Sequence, residues 1–142
     1  VKPRNNRQAG FTLLEIMVVV VILGLLAAIV APNVLQNQDT AMVKKAQADI
    51  AVLEQALDLY KMENHRYPTT DQGLEALVSK PDNGPEAKNY RSEGYIKRLP
   101  NDPWGNPYLY LSPGEHSTVD VYSLGADGED GGSELNADIG NW

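Results

Sequence analysis

The chain has 142 residues, which is room for one compact domain, and it has no cysteine, so no disulfide staples it. Its formal charge is −7, from 12 Lys and Arg against 19 Asp and Glu; without Lys2, Arg4 and Arg7, the three basic residues ahead of Phe11, the remainder carries −10. A domain that acidic repels nucleic acid and anionic lipid, and a nucleic-acid-binding role is set aside on that ground.

Residues 11–31 are apolar apart from Thr12, Glu15 and Gly24. As a helix rising about 1.5 Å per residue they span about 31 Å, the thickness of a bilayer core, and the run predicts a transmembrane helix. A secretory signal would carry a shorter apolar region, about 7 to 15 residues, followed by a small-x-small cleavage site. Here Pro32 closes a longer run. The basic residues Lys2, Arg4 and Arg7 precede it, and the next ones, Lys44 and Lys45, lie beyond Asp39. The positive-inside rule then puts the N-terminus in the cytoplasm and the bulk of the chain outside.

Glu15 needs an explanation, because a carboxylate near the bilayer centre costs about 2.5 to 3.5 kcal/mol on insertion. Two accounts stand side by side. It is an interfacial anion favoured by the helix N-terminus, or, if the chain is cut between Gly10 and Phe11, it pairs with the new α-amino group of Phe11 one turn away, at i and i+4.

The run Gly10-Phe11-Thr12-Leu13-Leu14-Glu15, followed by an unbroken apolar stretch, resembles the leader and processing site of type IV pilins and pseudopilins. The resemblance implies that a prepilin peptidase cuts after Gly10 and methylates the amine of Phe11, and that Glu15 sets subunit registration during assembly. It divides the chain into a cytoplasmic leader, residues 1–10, a transmembrane helix, 11–31, and a periplasmic domain, 32–142.

After Pro32 the pattern turns amphipathic. Ala46, Ile50, Leu53, Leu57 and Tyr60 recur at steps of four and three, with Lys45, Asp49, Glu54 and Lys61 on the other face. The helix therefore continues outside the membrane. Pro32 removes an internal hydrogen bond, and a kink or local melting is expected there. Asn64, His65 and Pro68 end the helix. Residues 69–79 read as a short second helix capped by Thr69 or Thr70, with Asp71 in its first turn and Leu74, Leu77 and Val78 facing inward. A Pro-, Gly- and Asn-rich connection covers 81–94 and is anchored by Tyr90 and Tyr95. Asp102-Pro103-Trp104-Gly105 is a turn in which Trp104 packs. Residues 108–111 and 118–124 are β-rich around the turn-forming 112–117, which predicts an antiparallel hairpin supported by the amphipathic helix.

From residue 125 the chain carries Asp127, Glu129, Asp130, Glu134 and Asp138 among glycines. Two readings are open on composition: a solvated acidic loop, or turns that gather carboxylates and carbonyls around a hard cation. It is not an EF-hand, since the acid spacing does not match. His65 and His116 are isolated, Ser112 and Ser123 lie in no nucleophile motif, and exposed carboxylates beside glycines do not make an acid-base pair, so enzyme chemistry is unsupported.

Asp102-Pro103-Trp104-Gly105, Leu111-Ser112-Pro113-Gly114, Ser123-Leu124-Gly125-Ala126-Asp127-Gly128 and Asp138-Ile139-Gly140-Asn141-Trp142 are together similar to the motifs of the major pseudopilins of type II secretion systems. With Tyr67-Pro68-Thr69-Thr70, the likeness spans nearly the whole chain. It implies an α+β, pilin-like fold: a long N-terminal helix, transmembrane in its first half, packed on a small antiparallel β-sheet with a metal-binding C-terminal loop. It implies structural calcium held by the Leu124 carbonyl, Asp127 and Asp138, with further ligands between residues 129 and 136 left open. It also implies a homopolymeric periplasmic filament grown from the inner membrane. The partners would be minor pseudopilins, the prepilin peptidase, an assembly platform with its ATPase, and an outer-membrane secretin. Two rivals remain at this stage: a type IV pilin of a surface pilus, and a monomeric membrane-anchored binding protein.

Overall fold

A computed structural model describes residues 9–142 of the chain. The expected leader, residues 1–10, falls mostly outside the described residues. Contacts divide the chain into two units, one ending at Gln38 and the other running Asp39–Trp142. One helix assignment, α1, covers Leu13–Asn64 and belongs partly to each.

In the first unit every described residue is exposed. Leu13, Ile16, Met17, Val18, Val19 and Val21 lie on all sides of a helix whose candidate membrane span has no buried residue, and Phe11 is exposed ahead of it. A helix apolar all round needs lipid or other helices against it, since water would leave this surface unfavourably hydrated. Thr12 caps its start: Glu15 N–H donates to Thr12 Oγ1 at 3.2 Å, and Thr12 N–H donates to Glu15 Oε2 at 2.9 Å. This is a capping box, with two of the helix's orphan donors satisfied reciprocally. Pro32 lies inside α1, and helical structure continues through it. The expected local melting is therefore absent. Pro32 has no N–H to give to the preceding turn, but the loss of one bond does not stop helical φ and ψ from propagating.

In the second unit α1 presents the predicted stripe. Ala46, Ile50, Leu53, Leu57 and Tyr60 are all buried, while Lys45 and Lys61 face solvent. Lys45 and Asp49, one turn apart, pair at 2.6 Å. After Asn64 the chain turns at His65, which takes a left-handed φ of 64° and donates its N–H to Lys61 C=O at 2.7 Å. That is the αL termination usually given to glycine or asparagine.

Residues 69–79 do not form the predicted helix. Thr69 does cap: its Oγ1 accepts Gln72 N–H at 3.2 Å, and Gln72 Oε1 accepts Thr69 N–H at 3.0 Å. The turn it starts ends at Gly73, whose φ of 65° is outside the helical region, and only a 3-10 turn, Leu74–Leu77, follows. Leu74 and Leu77 still point inward and are buried. Tyr90 and Tyr95 anchor the next connection as expected, both packing on Tyr60 with ring centroids at 6.2 and 5.2 Å. Tyr95 Oη donates to Glu63 Oε2 at 2.9 Å, and Glu63 pairs with Arg91 at 2.7 Å.

The sheet has three strands where two were predicted. β1, Leu109–Leu111, and β2, Asp120–Ser123, form the expected antiparallel hairpin, with Leu109 opposite Tyr122 and Leu111 opposite Asp120. β3, Ile139–Gly140, adds to the other side of β2, with Tyr122 opposite Gly140 and Ser123 opposite Ile139. Two residues are too few to show an alternating pattern, which is why β3 was hidden in an acidic, glycine-rich stretch. Val119, Val121, Tyr108 and Tyr110 meet the α1 stripe to form one core. Trp104 packs against it, half-buried.

Candidate functional site

Two regions hold the residues singled out in the sequence, one in each unit. In the first, Gly10 and Phe11 are exposed ahead of α1, and nothing lies within 4 Å of where a Cβ on Gly10 would stand. The space around this backbone is open. Glu15 lies three residues on from Thr12 and is engaged in the capping box. Its first account, an anion at the helix N-terminus, thus has a specific geometric form, and the Thr-x-x-Glu spacing that signals it was present in the sequence.

The second region is the end of the chain. β2 leads into it and β3 leads out, so its two ends are held by the sheet. Continuing the β2–β3 register by one residue from the Ser123–Ile139 pair sets Leu124 opposite Asp138 at the mouth of the loop. Inside, Ala126 N–H donates to Leu135 C=O at 2.9 Å and brings the two limbs together. Gly125 has φ 73°, and a Cβ there would meet the carbonyl oxygens of Leu135 and Ala137 at 2.8 Å, so this approach requires glycine. Asp127, exposed, turns the chain by accepting Glu129 N–H at 3.1 Å. Asp138 Oδ2 accepts Gly131 N–H at 3.0 Å, while its Oδ1 is buried with no partner.

An unsatisfied buried carboxylate oxygen costs free energy, and a cation is one way to satisfy it. Among the described residues no group of three or more His, Cys, Asp or Glu is placed to hold a metal. The donors expected from the sequence are the Leu124 carbonyl and the carboxylates of Asp127 and Asp138. Those donors are all oxygen, the set that suits a hard ion with adaptable coordination.

Two buried carboxylates, Asp120 and Asp102, and the half-buried Asn141, to none of which sequence reasoning gave a role, organise this end. Asp120, 1% exposed, accepts N–H bonds from Glu115, His116 and Ser117 at 2.7, 3.0 and 2.9 Å, and its Oδ2 lies 3.2 Å from His116 Nδ1. Burial alone would raise its carboxyl; the bonds from His116, Ser117 and Glu115 outweigh that and hold it below the ordinary range. Asp102 Oδ1 accepts Trp104 N–H and Asn106 N–H at 3.0 and 2.8 Å, and Ser123 Oγ donates to Asp102 Oδ2 at 2.7 Å. Asn141 then ties the terminus down: its Oδ1 accepts Val121 N–H at 3.0 Å, and its Nδ2 reaches Val119 C=O at 2.9 Å and Glu54 of α1 at 3.2 Å. Trp142 stacks on His116 with centroids 3.9 Å apart. The only sequence signal for Asp102 and Asn141 was their place in the quoted motifs; a lone Asp in a hairpin, as at Asp120, carries none.

The comparisons with known proteins cover both regions. Residues 33–142 match the family profile described as type II secretion system (T2SS), protein G. Residues 5–31 match the prokaryotic N-terminal methylation motif. The chain is 65% identical over 139 residues to type II secretion system core protein G of Vibrio cholerae, covering 98% of this chain and 94% of that protein. It is 58% identical over 139 residues to the core protein G of Pseudomonas aeruginosa, covering 98% of each. The crystal structure of the major pseudopilin from the type 2 secretion system of enterohaemorrhagic Escherichia coli superposes with a TM-score of 0.70 at 51% identity, over 78% of this chain and 95% of that one.

Proposed function

The chain belongs to the type II secretion system protein G family, the major pseudopilins, and from that premise we propose that it is the subunit that polymerises into the periplasmic pseudopilus whose growth drives folded proteins across the outer membrane. The family is one of structural subunits, and the role calls for no catalytic residue. Similarity along 98% of the chain to secretion-system relatives carries the reading over the rival surface pilin and the monomeric binding protein.

Physical arguments fill in the mechanism. The exposed start of α1, apolar apart from Glu15 and Gly24, is stable in lipid, and exchanging lipid contacts for contacts with copies of itself lets the same surface serve as anchor and as filament core. Head-to-tail association of that kind does not close, so it grows. Residues 11–31 cross the inner membrane with the N-terminus in the cytoplasm, where a prepilin peptidase cuts between Gly10 and Phe11 and methylates the new amine. Cutting creates a cation near Glu15, and the carboxylate, whose Oε2 closes the capping box, can pair through its other oxygen with the amine of its own or an incoming subunit. Minor pseudopilins, the assembly platform with its ATPase and the secretin are the remaining partners of this reading.

Calcium in the C-terminal loop is the second part of the proposal. The Leu124 carbonyl, Asp127 and Asp138 would hold it, and its support is the partnerless buried Oδ1 of Asp138 at the mouth of the loop. The ion would neutralise a crowded acidic segment and clamp its two limbs in a chain with no cysteine to do so.

The decisive experiment is an intact mass of the protein from its native host, with Glu15→Ala tested beside it for filaments. Loss of residues 1–10 with gain of one methyl, and loss of filaments in Glu15→Ala, is the expected result. An uncut chain, or filaments that form unchanged without Glu15, overturns the assembly mechanism.

A further inference from the structure

We propose that Asp102 is the positioning residue of the calcium loop, setting its affinity through Ser123 without touching the ion; the inference rests on the calcium reading above. The carboxylate has two arms. Oδ1 holds the backbone N–H groups of Trp104 and Asn106, which fixes the turn between the 3-10 segment and β1. Oδ2 accepts the hydroxyl of Ser123, the last residue of β2, and Ser123 Oγ in turn accepts Gly125 N–H at 3.2 Å. Asp102 and Ser123 are 4% and 0% exposed, so water does not compete for these bonds.

Gly125 is where the chain of bonds reaches the loop. It packs against the carbonyls of Leu135 and Ala137, so its placement sets the spacing between the outgoing and returning limbs. Leu124 lies between Ser123 and Gly125, both held by this relay, and its carbonyl can take only the orientation they allow. The 101–107 turn also borders the loop directly: Asn106, Pro107 and Leu109 line a cavity of about 200 Å³ together with Leu124 and Gly128. One buried carboxylate thus braces both sides of the segment that carries the Leu124 carbonyl and Asp127.

Asp102→Asn isolates this role. Asparagine keeps its oxygen for Trp104 and Asn106, but its NH₂ faces Ser123 Oγ and reverses that bond. Ser123 then receives donors from both sides, and its own hydroxyl hydrogen loses its acceptor. The loop is left with a smaller binding-competent fraction, and apparent affinity falls by that fraction.

The test is titration of the full-length chain in detergent micelles with calcium chloride, followed by calorimetry, beside melting temperatures measured in chelator. The expected result is a Kd raised roughly tenfold or more in Asp102→Asn, with a much smaller change in the chelator melting temperature. Ser123→Ala, which breaks the same relay at its middle, should raise Kd similarly, and it serves alone if Asp102→Asn does not fold. The double variant should be no worse than the poorer single one. A residue that merely stabilises the fold would lower the melting temperature equally with and without calcium; an unchanged Kd in both variants with that pattern overturns the proposal. If the wild-type chain binds no calcium, the calcium reading itself is what fails, and that outcome is distinct from wild-type binding with a variant of equal affinity.

Discussion

Replacing Asp120 with asparagine tests whether a buried carboxylate, rather than turn propensity, holds the hairpin tip. Asp120 takes three backbone N–H bonds at 2.7 to 3.0 Å in a place 1% exposed. Asparagine has one acceptor oxygen. If it serves Glu115 and His116, its NH₂ meets Ser117 N–H donor to donor. Two bonds then fall from charge-assisted to neutral strength, a loss of about 1 kcal/mol each, and one donor is orphaned at about 1 to 3 kcal/mol. The donors belong to residues exposed at the tip, where water relieves part of this, so a net loss of about 2 to 4 kcal/mol is expected at pH 7. The pH dependence supplies the control. Asp120 titrates below the ordinary carboxylate range in the folded chain, so its contribution is complete above the unfolded value of about 3.9 and disappears as pH falls through the lower folded value. Guanidinium unfolding followed by tryptophan fluorescence reports on the second unit alone, because Trp104 and Trp142 both lie there. Comparing the two proteins at pH 7 and at an acid pH below the unfolded value should show a gap at the first and a smaller one at the second. Equal midpoints at pH 7, or a gap undiminished in acid, would refute the reasoning.

Three further outcomes follow from the same structure. Leu57→Ala removes a fully buried side chain from the α1 stripe and should cost about 2 to 5 kcal/mol in the same unfolding assay, with little change in membrane insertion. Tyr60→Phe deletes a buried hydroxyl that has no partner while keeping the ring contacts to Tyr90 and Tyr95, so stability should stay within about 0.5 kcal/mol or rise; a loss above about 1.5 kcal/mol would mean the hydroxyl is bonded after all. On the calcium reading, calcium at 100 times its Kd should stabilise the wild-type chain by about 2.7 kcal/mol over its chelated form, and Asp138→Asn should abolish most of that difference in thermal melts.

The two candidate regions were legible to different depths. Around Gly10, Phe11 and Glu15 the information is local: a run of six residues beside an apolar stretch carries both the processing motif and, through the Thr12 to Glu15 spacing, the capping box. At the other end, Asp127 and Asp138 stood out as acids among glycines, but their roles diverge in the fold. Asp127 is spent partly on a turn, whereas Asp138 keeps one oxygen buried and unmatched. Nothing along the chain separates the two, because burial of Asp138 depends on the pairing of β3 with β2. Residues 69–79 fail for the opposite reason. Their local signals favoured a helix, and Gly73 at φ 65° stops it after one turn so that Leu74 and Leu77 reach the core from a 3-10 segment.

By itself the sequence determined the membrane-length apolar helix, the α1 stripe with its buried Ala46, Ile50, Leu53, Leu57 and Tyr60, and the hairpin of β1 and β2. Each is written in periodicity or in adjacent residues, where chain geometry alone decides which side chains share a face. Only the tertiary structure decided that Asp102 reaches Ser123 across 21 positions, that Asn141 returns to Val121 and Glu54, and that Ile139–Gly140 becomes a strand. Those contacts join residues far apart in the chain, and a buried polar bond is selected by which surfaces close around it, a property that no window of the sequence contains.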